Sequence, residues 1–151
     1  MGRRIVSLWL PRLGAERLLR RAGALEAPFA TAAETGGALR LAGVSEAAEA
    51  AGLRAGMGLA DARAIRPDLV TRPADPQREA AFLMALARWA GRWSPWIAAD
   101  GADGLALDVT GCAHLFGGEA PMLAEMVDRL AAQGLTARAA CADTRGGAWA
   151  L

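Results

Sequence analysis

Apolar and polar residues follow two different periods along the chain, and together they predict an α+β fold. Short apolar runs bounded by Gly, Pro or Asp are typical of strands. The first of these runs starts with β-branched residues and ends at Pro11, a residue that interrupts a strand. The predicted strands cover residues 4–10, 29–33, 38–44, 96–99, 105–109 and 135–142.

Apolar residues at helical spacing predict the helices. The longest spans residues 76–93 and opens with Asp75-Pro76, a capping residue followed by proline at the first helical position. Its core-facing stripe is predicted to be Phe82, Leu86, Trp89 and Trp93, and that of the next long helix to be Leu123, Met126, Val127 and Leu130. Shorter helices are predicted over residues 12–22, 45–51, 59–66 and 146–151, with a linker over 73–76.

Without residues 13–75, the predicted order is strand, helix, strand, strand, helix, strand. This order is the split βαβ pattern of ferredoxin-like sheets. We therefore predict an α+β protein in which residues 1–12 and 76–151 form a ferredoxin-like sheet with two helices. Residues 13–75 would form a small helical insertion.

Composition narrows the classes of function. The chain has 151 residues and a net charge of +1, and all of its 17 basic side chains are Arg, so nucleic acid would be bound by local Arg clusters rather than by bulk charge. Cys112 and Cys141 lie far apart without a CxxC pattern, which argues against a disulfide framework or a zinc site.

No stretch approaches the roughly 20 apolar residues of a spanning helix. We expect a cytoplasmic protein with no membrane partner.

Three segments resemble the Y-family translesion DNA polymerases, the UmuC-like proteins. Residues 52–69 resemble the fingers segment of that family, and residues 94–110 resemble its palm motif, usually written SPxxExxSIDEAYLDVT. Residues 135–145 are similar to the next palm strand. Within the family, residues 7–13 and 103–119 look like the ImuB-type branch, the polymerase-like members of bacterial damage-induced mutagenesis cassettes.

The resemblance implies a division of the chain into two parts. Residues 1–12 and 76–151 would be a palm-like domain, incomplete at its C-terminus. Residues 13–75 would be a fingers-like insertion.

The resemblance also locates the positions at which the family binds two catalytic metal ions. Such a pair of divalent cations requires several carboxylate oxygens. The three family carboxylates fall at Ser7, Asp103 and Gly104, and a further Asp of the first segment falls at Trp9. We therefore predict no catalytic residues and no metal site, with Asp103 as a residual ligand at most. Asp100 and Asp103 also suit ordinary turn chemistry.

The family's nucleotide-binding positions are degenerate in this chain. The Tyr and Arg that meet the triphosphate fall at Glu46 and Glu49, in a predicted first helical turn where carboxylates repel phosphate. Glu in a first turn also complements the helix dipole, so both interpretations stand. The ring that excludes ribonucleotides falls at Arg12, and a phosphate-contacting Lys falls at Trp149.

The fingers-like segment contains the possible template or DNA contacts. The candidates are Arg40, Ala42, Arg54, Gly56 and Met57. A solvated Arg face is the alternative interpretation of the two arginines. His114, the only histidine, has no partner cluster in the sequence and is interpreted as structural.

The resemblance implies a non-catalytic scaffold in damage-induced mutagenic translesion DNA synthesis and DNA repair. Its partners would be damaged or primed DNA, an error-prone replicative-type DNA polymerase, a sliding clamp and a RecA-like cassette partner, the protein partners mostly through regions absent from this chain. No cofactor is expected. One alternative is a weakly active Y-family polymerase that uses Mg²⁺ at Asp103, and another is a generic ferredoxin-like interaction domain.

Overall fold

The computed structural model describes residues 2–22 and 26–151, and the chain divides into two compact units. One unit comprises Met1–Pro11 with Gln77–Leu151, and the other comprises Arg12–Pro76. The strands are β1 (Ile5–Trp9), β2 (Phe29–Thr35), β3 (Ala38–Val44), β4 (Val70–Pro73), β5 (Ile97–Ala99), β6 (Gly104–Asp108) and β7 (Arg138–Ala142). The helices are α1 (Leu13–Ala22), α2 (Glu46–Ala50), α3 (Leu59–Ile65), α4 (Pro76–Trp89), α5 (Glu119–Ala132) and α6 (Arg145–Ala150).

The first unit is built on a four-stranded sheet in the order β5-β6-β1-β7. Every neighbouring pair of strands is antiparallel. This order, with α4 between β1 and β5 and α5 between β6 and β7, is that of a ferredoxin-like sheet, so the predicted fold class is confirmed.

The two faces of this sheet differ because side chains alternate along each strand. Val6, Leu8, Leu105 and Leu107 are buried on one face. The buried side chains of α4 and α5 add to the apolar interior of the unit, and α5 packs against β7. Ser7 lies on the opposite face, where α6 packs against β1 and β7.

The second unit contains a three-stranded sheet in the order β3-β2-β4. Strands β2 and β3 form an antiparallel hairpin, whereas β4 runs parallel to β2. Ser45 caps α2 through its side chain, which accepts from the Ala48 amide. The core cluster of this unit consists of Ala30, Leu41, Val44, Ala48, Leu53, Ala62 and Leu69. The insertion is therefore a helix-and-sheet unit, and strand β4 was not predicted.

Two predicted helical stripes are wrong in detail. The helix predicted over residues 76–93 ends at Trp89, and a 3-10 turn follows over Ala90–Arg92, where Gly91 weakens the α-helix. Its buried face contains Leu83, Leu86, Ala87, Ala90 and Trp93, whereas Phe82 and Trp89 are partly exposed. In α5 the buried residues are Met122, Met126 and Leu130, so Met122 replaces the predicted Leu123 and Val127 is only partly buried.

No helix in the described part of the chain is both long and apolar enough to cross a membrane.

Candidate functional site

The ends of β1 and β6 bring several of the sequence-predicted palm positions together. Trp9 pairs with Gly104 across the two strands, and the Leu10 amide donates to the Asp103 carbonyl at 2.8 Å. A cavity of about 690 Å³ opens beside them. It is lined by Ser7, Trp9, Asp103, Arg138, Ala139, Ala140, Ala148, Trp149, Ala150 and Leu151.

The Asp103 carboxylate in this cavity is held by an indole. Trp9 Nε1 donates to Asp103 Oδ2 at 3.0 Å. The resemblance expects a second carboxylate at Trp9 and the first metal ligand at Ser7, which is only 6% exposed. Asp103 thus meets a hydrogen-bond donor where a two-metal site would supply another acidic ligand.

Gly104 occupies the third predicted carboxylate position, and the backbone around it has no room for a side chain. A Cβ atom added there would lie 2.8 Å from the Asp100 carbonyl oxygen and 3.4 Å from that of Leu8. The Asp100 carboxylate itself is paired with Arg145 at 2.8 Å. A Glu at position 104 would therefore require the turn to move.

The residues of this cavity do not fit a pair of divalent cations. Hard cations of this kind need several oxygen ligands at one point. Among residues 2–22 and 26–151, no group of three His, Cys, Asp or Glu side chains is placed to hold a metal ion. The functional groups that line the cavity are two indole rings, one carboxylate and one guanidinium.

Asp108, the next acidic residue along β6, is committed to local structure. It accepts from the Thr110 amide at 3.1 Å and pairs with Arg3 at 3.2 Å. The hydrogen bonds from Thr110, together with the Arg3 guanidinium, hold the pKa of Asp108 below its ordinary value. Asp108 therefore remains ionised as part of a surface ion pair.

In the second unit, Arg12 and Glu49 neutralise each other. Arg12 Nη2 lies 3.0 Å from Glu49 Oε2, and this hydrogen bond raises the pKa of the Arg12 guanidinium. Glu46 lies exposed in the same first turn of α2. Ser45 caps α2 by accepting from the Ala48 amide, so this N–H group at the helix start is satisfied within the chain. The structure thus brings three of the four predicted degenerate nucleotide positions into this unit, whereas Trp149 lies in the first.

Three of the five predicted template contacts lie together around Leu41, and the other two lie apart. The Leu41 amide donates to the Met57 carbonyl and the Gly56 amide donates to the Leu41 carbonyl, both at 2.8 Å. Arg40 Nη1 donates to the Gly56 carbonyl at 3.0 Å. Arg54 instead donates to the carbonyls of Glu49 and Leu53 near the end of α2, and Ala42 is exposed on β3.

Arg138 is a site residue that no motif in the sequence marks. It pairs with Trp9 across β1 and β7, and its guanidinium carbon lies 5.6 Å from the centre of the Trp9 ring. This distance is typical of a cation–π contact. The sequence predicts a strand that contains Arg138. Only the register of the sheet shows that this residue faces the cavity.

Comparisons with known proteins agree with this geometry. Residues 16–151 match the profile of the impB/mucB/samB family, abbreviated IMS. A relative named Protein ImuB from Caulobacter vibrioides strain NA1000 is 57% identical over 100 residues, which are 66% of this chain and 22% of that protein. The protein of the same name from strain ATCC 19089 gives the same values. The chain thus spans about a fifth of the length of these relatives.

Solved structures show the same fold. The crystal structure of DinB from Sulfolobus solfataricus matches with a TM-score of 0.74 and 18% identity, over 92% of this chain and 42% of that chain. The insertion ternary complex of Dbh DNA polymerase matches with a TM-score of 0.76, the same identity and the same coverage. The resemblance to Y-family polymerases and to their ImuB-type branch is confirmed. The chain belongs to the impB/mucB/samB family, and its fold is that of the palm and fingers region of a UmuC-like, Y-family DNA polymerase.

Proposed function

We propose that this chain is the palm and fingers part of a non-catalytic, polymerase-like scaffold in damage-induced mutagenic translesion DNA synthesis. One observation carries the proposal. At the three family carboxylate positions only Asp103 is acidic, and its carboxylate accepts a hydrogen bond from Trp9. Nucleotidyl transfer by a two-metal mechanism needs a clamp on both the attacking and the leaving oxygen, and one carboxylate does not hold that clamp.

The second unit supports the same proposal through its charges. A triphosphate carries several negative charges and is bound by cationic side chains and backbone amides. Here the positions at the start of α2 are Glu46 and Glu49, and the nearby Arg12 is engaged with Glu49 at 3.0 Å. The cation that could attract phosphate is thus neutralised within the chain.

The proposed partners follow from this role. A scaffold of translesion synthesis would act in the cytoplasm on damaged or primed DNA, with an error-prone replicative-type polymerase, a sliding clamp and a RecA-like cassette partner. In this proposal most of the protein–protein contacts lie outside the present chain, which spans 22% of the length of the ImuB relatives. In the second unit, Arg40 and Arg54 remain the proposed DNA contacts.

Primer extension tests the proposal. A protein that contains the whole of this chain is incubated with primed template, all four deoxynucleotides and either Mg²⁺ or Mn²⁺, beside its Asp103→Ala variant. We expect no template-directed extension by either protein. Extension that disappears in Asp103→Ala would overturn the scaffold and establish the alternative, a weakly active polymerase.

A further inference from the structure

Two exposed indoles border the cavity beside β1. Trp9 is 40% exposed and Trp149 is 72% exposed, although Trp is usually well buried. The cavity volume of about 690 Å³ is in the range of sites that enclose a small aromatic ligand. Ligand pockets are lined mainly by hydrophobic and aromatic side chains, so this cavity has the lining of a binding site.

The polar groups of the cavity suit a ligand that has a flat face, one anionic group and an N–H donor. Arg138 lies over one face of Trp9, and no carboxylate of the described residues forms an ion pair with it. Asp103 uses Oδ2 to accept from Trp9, and its Oδ1 has no hydrogen bond from any described residue. The cavity thus combines ring faces, one guanidinium that forms no ion pair with a described residue, and one carboxylate with a free acceptor oxygen.

We infer that this cavity binds an unpaired base of single-stranded DNA. The base stacks on the indoles of Trp9 and Trp149, the Arg138 guanidinium contacts a neighbouring phosphate, and Asp103 Oδ1 accepts an N–H of the base edge. Stacking on aromatic side chains beside a cation that follows the backbone is a general way of holding single strands. This inference rests on the proposed function, because that role makes DNA the partner.

The same chemistry disfavours a nucleoside triphosphate as the occupant. A triphosphate concentrates its charge on three linked phosphates, which in this fold would need metal ions, and the cavity offers one guanidinium. An unpaired base within a strand brings about one phosphate charge per nucleotide. The single Arg138 matches that charge density.

An abasic oligonucleotide separates stacking from backbone attraction. The affinity of the full chain is measured by fluorescence anisotropy for a labelled oligothymidine and for an abasic strand of equal length. We expect the parent chain to prefer the oligothymidine, and Trp9→Ala and Trp149→Ala to lose about fivefold or more of that preference. Trp9→Phe, which keeps a ring, retains most of it.

Matched variants complete the test. Trp96, which is 73% exposed and does not line the cavity, gives the control Trp96→Ala, for which we expect the parent preference. Arg138→Gln should weaken binding to the oligothymidine and to the abasic strand to a similar extent. The inference is overturned if the parent chain binds both strands equally, if either Trp9→Ala or Trp149→Ala keeps the preference, if Arg138→Gln binds both strands as the parent does, or if Trp96→Ala loses the preference equally. Those results leave the primer-extension outcome untouched, so failure of this inference and failure of the scaffold proposal are distinguishable.

Discussion

At the scale of single residues, Trp9 and Gly104 occupy positions at the cavity beside β1 where the family resemblance expects carboxylates. The sequence and its family resemblance already indicate that Ser7 and Gly104 replace carboxylates. They do not indicate that Trp9 holds Asp103, because the two residues are 94 positions apart and meet only through the pairing of β1 with β6. The absence of acidic residues at the expected positions can be read from the sequence, whereas the contact between Trp9 and Asp103 depends on the register of the sheet.

A side chain at Gly104 should destabilise the fold. A Cβ at that position would lie 2.8 Å from the Asp100 carbonyl oxygen, so Gly104→Ala forces the turn to shift. We expect the free energy of unfolding to fall by about 1–3 kcal/mol, as for overpacking elsewhere. Urea denaturation followed by circular dichroism measures this change.

Gly91 provides the control for that experiment. A Cβ added at Gly91 meets no atom within 4 Å, so Gly91→Ala should be neutral or slightly stabilising. Equal stability losses in both variants would contradict the steric explanation at Gly104.

At the scale of elements, the sequence pattern located the four strands of the palm sheet but not β4. That strand is four residues long, contains one strongly apolar residue, Val70, and ends at Pro73, so it looked like the approach to a linker. Its partner β2 runs parallel to it and lies about 40 residues earlier, and no local pattern reports such a pairing. The stripe of α4 was misplaced for a similar reason, since several neighbouring residues are apolar and only tertiary packing selects among them.

The cap of α2 joins that helix to the start of β2. Ser45 is buried, and its hydroxyl accepts from the Ala48 amide at 3.1 Å and the Phe29 amide at 3.0 Å. Ser45→Ala leaves two buried donors without this acceptor, and we expect a loss of about 1–2 kcal/mol in the free energy of unfolding. Urea denaturation of the variant and the parent chain gives the difference.

A second cap serves as the comparison. Thr144 caps α6 by accepting from the Gly147 amide at 3.0 Å, but it is exposed to solvent. Thr144→Ala should therefore cost less than Ser45→Ala. A larger loss in Thr144→Ala would show that burial of the cap is not what makes Ser45 important.

At the scale of the whole molecule, charge is nearly balanced, and the ion pairs connect distant parts of the chain. Arg4, just before β1, donates two hydrogen bonds of 2.7 Å to Glu119 at the start of α5 and one of 2.6 Å to Asp143 after β7. The bond from Arg4 lowers the pKa of Glu119 below its ordinary value of 4.5. With a net charge of only +1, any attraction for DNA has to come from local cations such as Arg138.

The Arg4–Glu119 pair should make stability depend on acid pH. Because the folded pKa of Glu119 is lower than its unfolded value, its contribution is fully present above the ordinary pKa of 4.5. That contribution is lost as the pH falls through the folded pKa. Glu119→Gln should therefore show a shallower fall of unfolding free energy below that value, measured by urea denaturation at a series of pH values.

The partner variant makes this prediction specific. Arg4→Met removes the same hydrogen bonds together with the one to Asp143, so it should flatten the same part of the pH profile at least as much. The double variant should be no flatter than Arg4→Met alone, since Arg4→Met already removes the interaction with Glu119. Additive effects would mean that Glu119 acts through another group.

The central claim is that this palm does not assemble a two-metal centre. A measurement of metal binding tests it most directly. Mn²⁺ binding to the parent chain and to Asp103→Asn is followed by electron paramagnetic resonance, which counts free and bound ions. The structure predicts at most one weakly bound ion at Asp103, because no described group of three acidic, His or Cys side chains surrounds it. Two Mn²⁺ ions per chain, both lost in Asp103→Asn, would contradict it.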